Sequence, residues 1–205
     1  MTCWAIVPVK SFKQGKSRLA AILGSEQRTA LNRHLFGRVL DAAQSQFGAN
    51  RIVVVTADAF LLALVRGQGL HGLQDPGGGL NAALALGSRH AFARDAKAVV
   101  VLSSDLPLVT GDDIAALTTA LGDGPSCVIA PDEQEQGTNA LALAPPDASF
   151  FRFGVDSFQA HLAAARARGL RLRVLRRAGL AHDLDTPEHY RQLAKAQRVP
   201  SGALA

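Results

Sequence analysis

The 205-residue chain is long enough for one complete domain with a sizeable core and too short for two comfortable ones. Its 48% hydrophobic and 19% charged residues exclude a disordered chain, and no apolar run reaches the length of a membrane span. The net charge of +5 points to an anionic partner. The late arginines (Arg166, Arg168, Arg171, Arg173, Arg176 and Arg177) lack the interleaved aromatics of single-strand binding, so small phosphorylated ligands are expected rather than nucleic acid.

In chain order, residues 3–9 (CWAIVPV) read as a buried strand and 10–18 (KSFKQGKSR) as a basic, glycine-containing loop. From about 25 to 47, Leu31, Leu35, Val39, Leu40 and Ala43 recur at helical spacing. RIVVVT at 51–56 is a second buried strand, Ala59–Arg66 a short helix, and a third strand lies near 70–73. DPGGGLN then opens an Ala-rich helix reaching about residue 94, and AVVVLS at 98–103 is the strongest strand. A helix near 111–121 precedes the strand CVIA at 127–130, and TNALALA at 138–144 is the next. A helix from about 156 to 168 carries Phe158, His161, Leu162 and Ala165 on one face, and LRLRVL at 170–175 alternates like a half-buried strand. HDLDTPEHY leads into a last helix, capped by Thr186 or Asp185 with Pro187 in its first turn. Strands alternating with helices predict a single α/β domain over residues 1–195 with a mostly parallel sheet, followed by a flexible tail at 196–205. Cys3 and Cys127, distant and in apolar runs, read as buried reduced thiols, and the N-terminus enters a strand without a leader pattern, so a cytoplasmic protein is expected.

Open α/β sheets bind ligands beyond the carboxyl ends of their strands. After the first strand come Lys10, Lys16 and Arg18; after the third, DPGGGLN; after the fourth, Ser104-Asp105-Leu106-Pro107; after the seventh, Asp183 and Asp185. Cations, a glycine loop and three carboxylates suit a nucleoside triphosphate with a metal. KSFKQGKS nearly spells a P-loop, but Lys10 stands where the first glycine is required. Lys10, Lys16 and Arg18 are therefore expected to grip the β- and γ-phosphates as point charges. The glycines of DPGGGLN either simply make a turn or clear space for backbone to touch a base and ribose, with Asn81 adding a hydrogen bond and Asp75 accepting from an amino-bearing purine edge. Thr56, at the end of the second strand, is grouped with Asp75, Gly78, Gly79 and Asn81 on the nucleotide side. Asp105 at a buried strand end needs a counter-charge, and Asp183 and Asp185 at i, i+2 share one side of an extended segment, so Mg²⁺ is expected among the three. His34, His90 and His161 read as packing residues, and no Ser/His or Cys/His pair suggests covalent catalysis.

WAIVPVKSFKQGKSRLA, DPGGGLNAAL, VLSSDLPLV, GTNALAL, FRFGVDSFQAH and DLDTPE, in order from residue 4 to about 190, resemble the 2-phospho-L-lactate guanylyltransferase family of coenzyme F-420 biosynthesis. The resemblance implies a Rossmann-like three-layer sandwich of the nucleotide-diphospho-sugar transferase type. It also implies GTP as donor and 2-phospholactate, phosphoenolpyruvate or 3-phosphoglycerate as acceptor. By the same resemblance Asp105, Asp183 and Asp185 hold Mg²⁺, and Thr138, Gly154 and Ser157 hold the acceptor's phosphate and carboxylate. Against the family pattern GTGTN and FGPGSF, this chain has Gln136-Gly137-Thr138-Asn139 and Val155-Asp156. The added bulk and negative charge predict an acceptor choice shifted away from phospholactate, toward 3-phosphoglycerate or phosphoenolpyruvate. Alternatives are a molybdenum-cofactor nucleotidyltransferase of the same fold, a non-catalytic nucleotide-binding protein, and an RNA-binding domain; whether the chain forms a homodimer is open.

Overall fold

Fully apolar runs become the inner strands of one sheet. In the computed structural model, which describes residues 1–195, these are β1 (Cys3–Pro8), β2 (Ile52–Thr56), β3 (His71–Gln74), β4 (Ala98–Leu102), β5 (Ser126–Pro131), β6 (Thr138–Ala144) and β7 (Arg171–Val174). The tail expected at 196–205 lies outside the described residues. The helices are α1 (Ser25–Phe47), α2 (Ala59–Gly67), α3 (Leu80–Phe92), α4 (Gly111–Leu121), α5 (Ser157–Ala167), the one-turn α6 (Ala178–Ala181) and α7 (Pro187–Lys195).

The strands run in the order β3-β2-β1-β4-β6-β5-β7. All neighbours are parallel except β6, which is antiparallel to both β4 and β5. The cause is the short 132–137 link, which can join β5 to β6 only as a hairpin, whereas a parallel pair needs a longer crossover. Because β1 and β2 are covered on both sides, successive residues alternate between two cores rather than between core and water. Ala5, Val7 and Val54 meet α1, α2 and α4; Trp4, Ile6, Val53 and Val55 meet α3 and, farther along the sheet, α5. Gly87 lets α3 approach β1, since a Cβ there would lie 2.7 Å from Ile6 Cγ2. Cys3 and Cys127 are buried free thiols, and burial pushes both pKa values up to about 12.

The chain passes from β1 to β2 on one side and returns from β3 to β4 on the other, so the sheet's topological switch lies between β1 and β4. A third apolar cluster stands beside that switch. Leu19 and Leu23 from the segment after β1, Leu31 and Leu35 of α1, and Tyr190 and Ala194 of α7 enclose Leu184. Leu184 is fully buried, and its backbone N–H donates to the Asp105 carbonyl at 3.2 Å. The last segment before α7 is thus fastened both to the core and to the end of β4. Leu184→Ala is expected to destabilise the protein by about 2–5 kcal/mol. Urea unfolding should show a lower midpoint with an unchanged slope, and a loss well under 1 kcal/mol would mean that this cluster anchors nothing.

Candidate active site

The basic loop after β1 is not a loose arm. Phe12 is buried against Phe36 of α1, with ring centroids 5.6 Å apart, and Asn32 Nδ2 donates to the Phe12 carbonyl at 2.7 Å. Ser11 Oγ donates to Asp58 Oδ2 at 2.9 Å, while the other carboxylate oxygen caps α2 through Phe60 and Leu61. Leu19 fixes the far end. Between these pins Lys16 takes left-handed backbone angles (φ 60°, ψ 40°), which L-residues adopt at a cost and which recur where a site dictates the backbone.

That turn sends the Lys16 ammonium inward. Nζ donates to Asp105 Oδ2 at 2.5 Å and to Asp185 Oδ1 at 2.9 Å, and the side chain is only 5% exposed. Burial alone would lower the Lys16 pKa; the charges of Asp105 and Asp185, with the hydrogen bonds to both, outweigh it and leave it raised. Arg18 is different: its guanidinium stays largely in solvent, 3.9 Å from Asp185. Lys10 lines the cleft and is exposed.

Asp105, Asp183 and Asp185 meet, with one carboxylate oxygen from each within 4.8 Å of the others. Leu184 is the reason for the last two. Alternation along an extended segment turns both neighbours of a buried residue the opposite way, so burying Leu184 aims Asp183 and Asp185 at the rim. Thr186, not Asp185, serves α7: its Oγ1 accepts the His189 N–H at 3.2 Å, leaving Asp185 free for the cluster. Asp183 receives a long hydrogen bond from Asn139 Nδ2 at 3.4 Å. Burial first, then repulsion from Asp105 and Asp185, raises its pKa above the usual aspartate value. Such a set of hard oxygen donors fits a divalent cation. Octahedral Mg²⁺ with ligands at about 2.0–2.1 Å needs oxygens roughly 3–4 Å apart, and here the three lie within 4.8 Å of one another.

The cluster opens into a cleft of about 420 Å³ at the β1/β4 switch. Its walls include Lys10, Phe12, Lys16 and Asn32 on one side, Asp75, Gly79 and Leu80 on another, and Ser103, Ser104 and Asp105 below. Gly77, Gly78 and Gly79 all hold positive φ (79°, 84° and 87°), so the glycines do make the turn, and Gly79 lines the cleft without a side chain. Asp75 Oδ1 is bonded to the Gly77 N–H at 2.9 Å. Asn81, expected to reach a base, is committed elsewhere: Nδ2 donates to the Phe153 carbonyl at 2.9 Å and Oδ1 accepts the Phe153 N–H at 2.8 Å. Thr56 is fully buried, and its Oγ1 accepts the Asp58 N–H at 3.2 Å. Asn32 and Asn139 carried no local signal. One belongs to a helix distant in sequence, the other to a strand whose pattern reads as core.

The family model described as "Guanylyl transferase CofC like" matches residues 3–194. The chain belongs to this guanylyltransferase family. Among curated relatives of this family member, the phosphoenolpyruvate guanylyltransferase of Rubrobacter xylanophilus is 45% identical, with 94% of each chain covered. That of Sphaerobacter thermophilus is 42% identical over 99% of this chain and 97% of its own. Among solved structures, a nucleotidyl transferase from Methanothermobacter superposes with a TM-score of 0.67 at 16% identity, covering 95% of this chain and 97% of the other. A CMP:2-keto-3-deoxy-manno-octonic acid synthetase complexed with CTP superposes with a TM-score of 0.62 at 12% identity, covering 96% and 98%. These structures share the fold of this chain, as the resemblance implied. No helix among the described residues is long and apolar enough to cross a membrane.

The remaining residues singled out in this guanylyltransferase-family chain gather around His161. Its Nε2 accepts the Arg152 backbone N–H at 3.0 Å, which places the imidazole proton on Nδ1. Nδ1 is 3.0 Å from Thr138 Oγ1, so the threonine accepts there and keeps its own proton to donate. The ring stacks on Phe150 and meets Phe153 edge-on. Ser157 opens α5 and is buried, and Gly154 precedes it at φ 144°. Val155 is 95% exposed. Burial holds the His161 pKa down at about 4, against an ordinary 6.5. Its neutral form therefore stabilises the fold fully above pH 6.5, and that stability is lost as pH falls toward 4, on the order of 3 kcal/mol. Urea midpoints at pH 7 and pH 5 should drop steeply in the wild type and less in His161→Gln. Some slope will remain, because His90 is also lowered to about 4. Equal slopes in the two proteins would remove His161 as the source.

Proposed function

We propose that this family member transfers GMP from GTP to phosphoenolpyruvate, releasing pyrophosphate and requiring Mg²⁺, in a route to coenzyme F-420. The meeting of Asp105, Asp183 and Asp185 at the mouth of the cleft supports the chemistry. The names of relatives above 40% identity support the acceptor.

A phosphate oxygen of the acceptor attacks the α-phosphorus of GTP, a phosphoanhydride forms, and the bond to the β-phosphate oxygen breaks. The phosphate monoester of the acceptor is already anionic at neutral pH, so no general base is required. The obstacle is repulsion between two anions. Lys10 in the cleft wall, Arg18 at its rim and Lys16 behind them supply the positive field, and the bare glycine turn at 77–79 lets the nucleotide lie against backbone. Held by Asp105, Asp183 and Asp185, Mg²⁺ would screen the phosphates and stabilise charge on the departing pyrophosphate. Thr138, with its hydroxyl proton freed by His161, is a donor for an anionic acceptor; Gly154 and Ser157 stand with it at the start of α5. Asn81 fastens Phe153 to α3, bringing the 154–156 turn beside the glycine loop. Val155 and Asp156 in that turn are the candidates for excluding phospholactate.

Asp105→Asn is expected to lower turnover about a hundredfold or more, corresponding to roughly 3–4 kcal/mol of barrier, while circular dichroism shows an intact fold. Near-normal turnover would remove Asp105 from the chemistry. An acceptor-by-nucleotide matrix read by product mass should give guanylylated phosphoenolpyruvate as the leading product. A clear preference for 2-phospholactate would overturn the acceptor and the role given to Val155 and Asp156.

A further inference from the structure

Lys16 is bound where a phosphate-gripping lysine would not be expected: its ammonium is already paired with two of the three carboxylates. The position is built. Gly15 sits against Asn32, where a Cβ would lie 2.6 Å from Nδ2, and the left-handed backbone at Lys16 turns the side chain inward. Arg18, two residues on, remains in solvent. The cluster thus already contains one cation that the protein supplies itself.

We propose that Lys16 is the resident counter-ion of Asp105 and Asp185 in the nucleotide-free protein and hands those carboxylates to the divalent cation only when a triphosphate offers the ammonium a replacement anion. The inference rests on the reading of the three aspartates as a metal site. A divalent ion held by Asp105 and Asp185 would compete with Lys16 for the two carboxylates it already pairs, and displacing Lys16 means moving an ammonium whose side chain is almost wholly buried. A buried ammonium without a partner is costly, and that cost falls on the metal. Lys16 also borders the cleft, within reach of a bound triphosphate. With phosphate oxygens present, the ammonium exchanges one anion for another and the cost disappears. Metal and nucleotide binding are therefore coupled through one side chain, and nucleotide-free protein keeps its metal affinity low.

Binding of Mn²⁺ without nucleotide, followed by electron paramagnetic resonance of the free ion, tests this in the full-length chain. Lys16→Met and Lys16→Gln are expected to bind Mn²⁺ about tenfold or more tightly than the wild type. Saturating Mn²⁺ should also raise their melting temperatures more than it raises that of the wild type. Arg18→Gln removes an equal charge from solvent nearby and should change affinity by less than about fivefold. If Arg18→Gln tightens binding as much as Lys16→Met, or if the Lys16 variants bind equally or more weakly than wild type, the handover is wrong. Adding Asp105→Asn to Lys16→Met should abolish the gain. Equal binding by wild type and Lys16→Met that is lost on Asp105→Asn would retire the handover and leave the metal site standing. No Mn²⁺ binding in any of them, with or without GTP, would remove both.

Discussion

Three carboxylates within 4.8 Å of one another are the constraint around which this end of the molecule is arranged. Like charges at such separations repel, and partial burial strengthens the repulsion by lowering the local dielectric. The fold does not relax the cluster; it locks it. Asp105 follows the central strand β4, and Leu184 ties its backbone to the Asp105 carbonyl while its side chain fills an apolar cluster. Asp183 and Asp185 must then project together. Hydrophobic burial at one residue is thus converted into electrostatic tension at its two neighbours, and a cation is what relieves it.

The segment leading to Leu184 is held as firmly. Arg177 Nε donates to the buried Asp113 at 2.6 Å, and Asp113 in turn closes a capping box with Thr110 at the start of α4. Gly179 makes room for that carboxylate, since a Cβ there would collide with it. On the other side, the Ala181 carbonyl accepts from the Glu133 N–H at 3.0 Å and from Asn139 Nδ2 at 3.1 Å. None of these groups lines the cleft, although Asn139 Nδ2 also reaches Asp183. They fix where the chain re-enters the cleft, and so hold Asp183 and Asp185 in place from a distance, as outer hydrogen bonds do for side chains in metal sites generally.

Much of this was readable from residue order. Apolar runs bounded by glycines and charges identified all seven strands, and β7 appeared as alternation because only one of its faces is covered. The rule that chemistry follows the carboxyl ends of parallel strands brought Lys16, Asp105, Asp183 and Asp185 to one rim before any coordinates. Orientation was harder. A lysine after a strand looks the same in sequence whether it points at solvent, phosphate or carboxylate, and only the left-handed turn at Lys16 decides it. Asn81 looked like a ligand for the opposite reason: an amide beside glycines suggests recognition, yet it holds Phe153. Side-chain amides in loops satisfy nearby backbone as readily as they bind ligands, and composition does not separate the two uses.

The two halves of the site differ in physical character, and the difference follows from the sheet. One half is made of loops after parallel strands, where glycine and an exposed lysine line an open cleft. The other half is built on β6, the antiparallel strand, and on the aromatic segment 150–153 packed around His161. Antiparallel pairing brings the first residues of β6 to the same rim as the last residues of β4, as the bond from the Ser103 N–H to the Asn139 carbonyl at 2.9 Å shows. Without that reversal Thr138 and Asn139 would lie at the opposite end of the sheet from Asp105. One hairpin in an otherwise parallel sheet is therefore what brings the buried Thr138 and Asn139, backed by an apolar and aromatic cluster, to the same rim as the three aspartates.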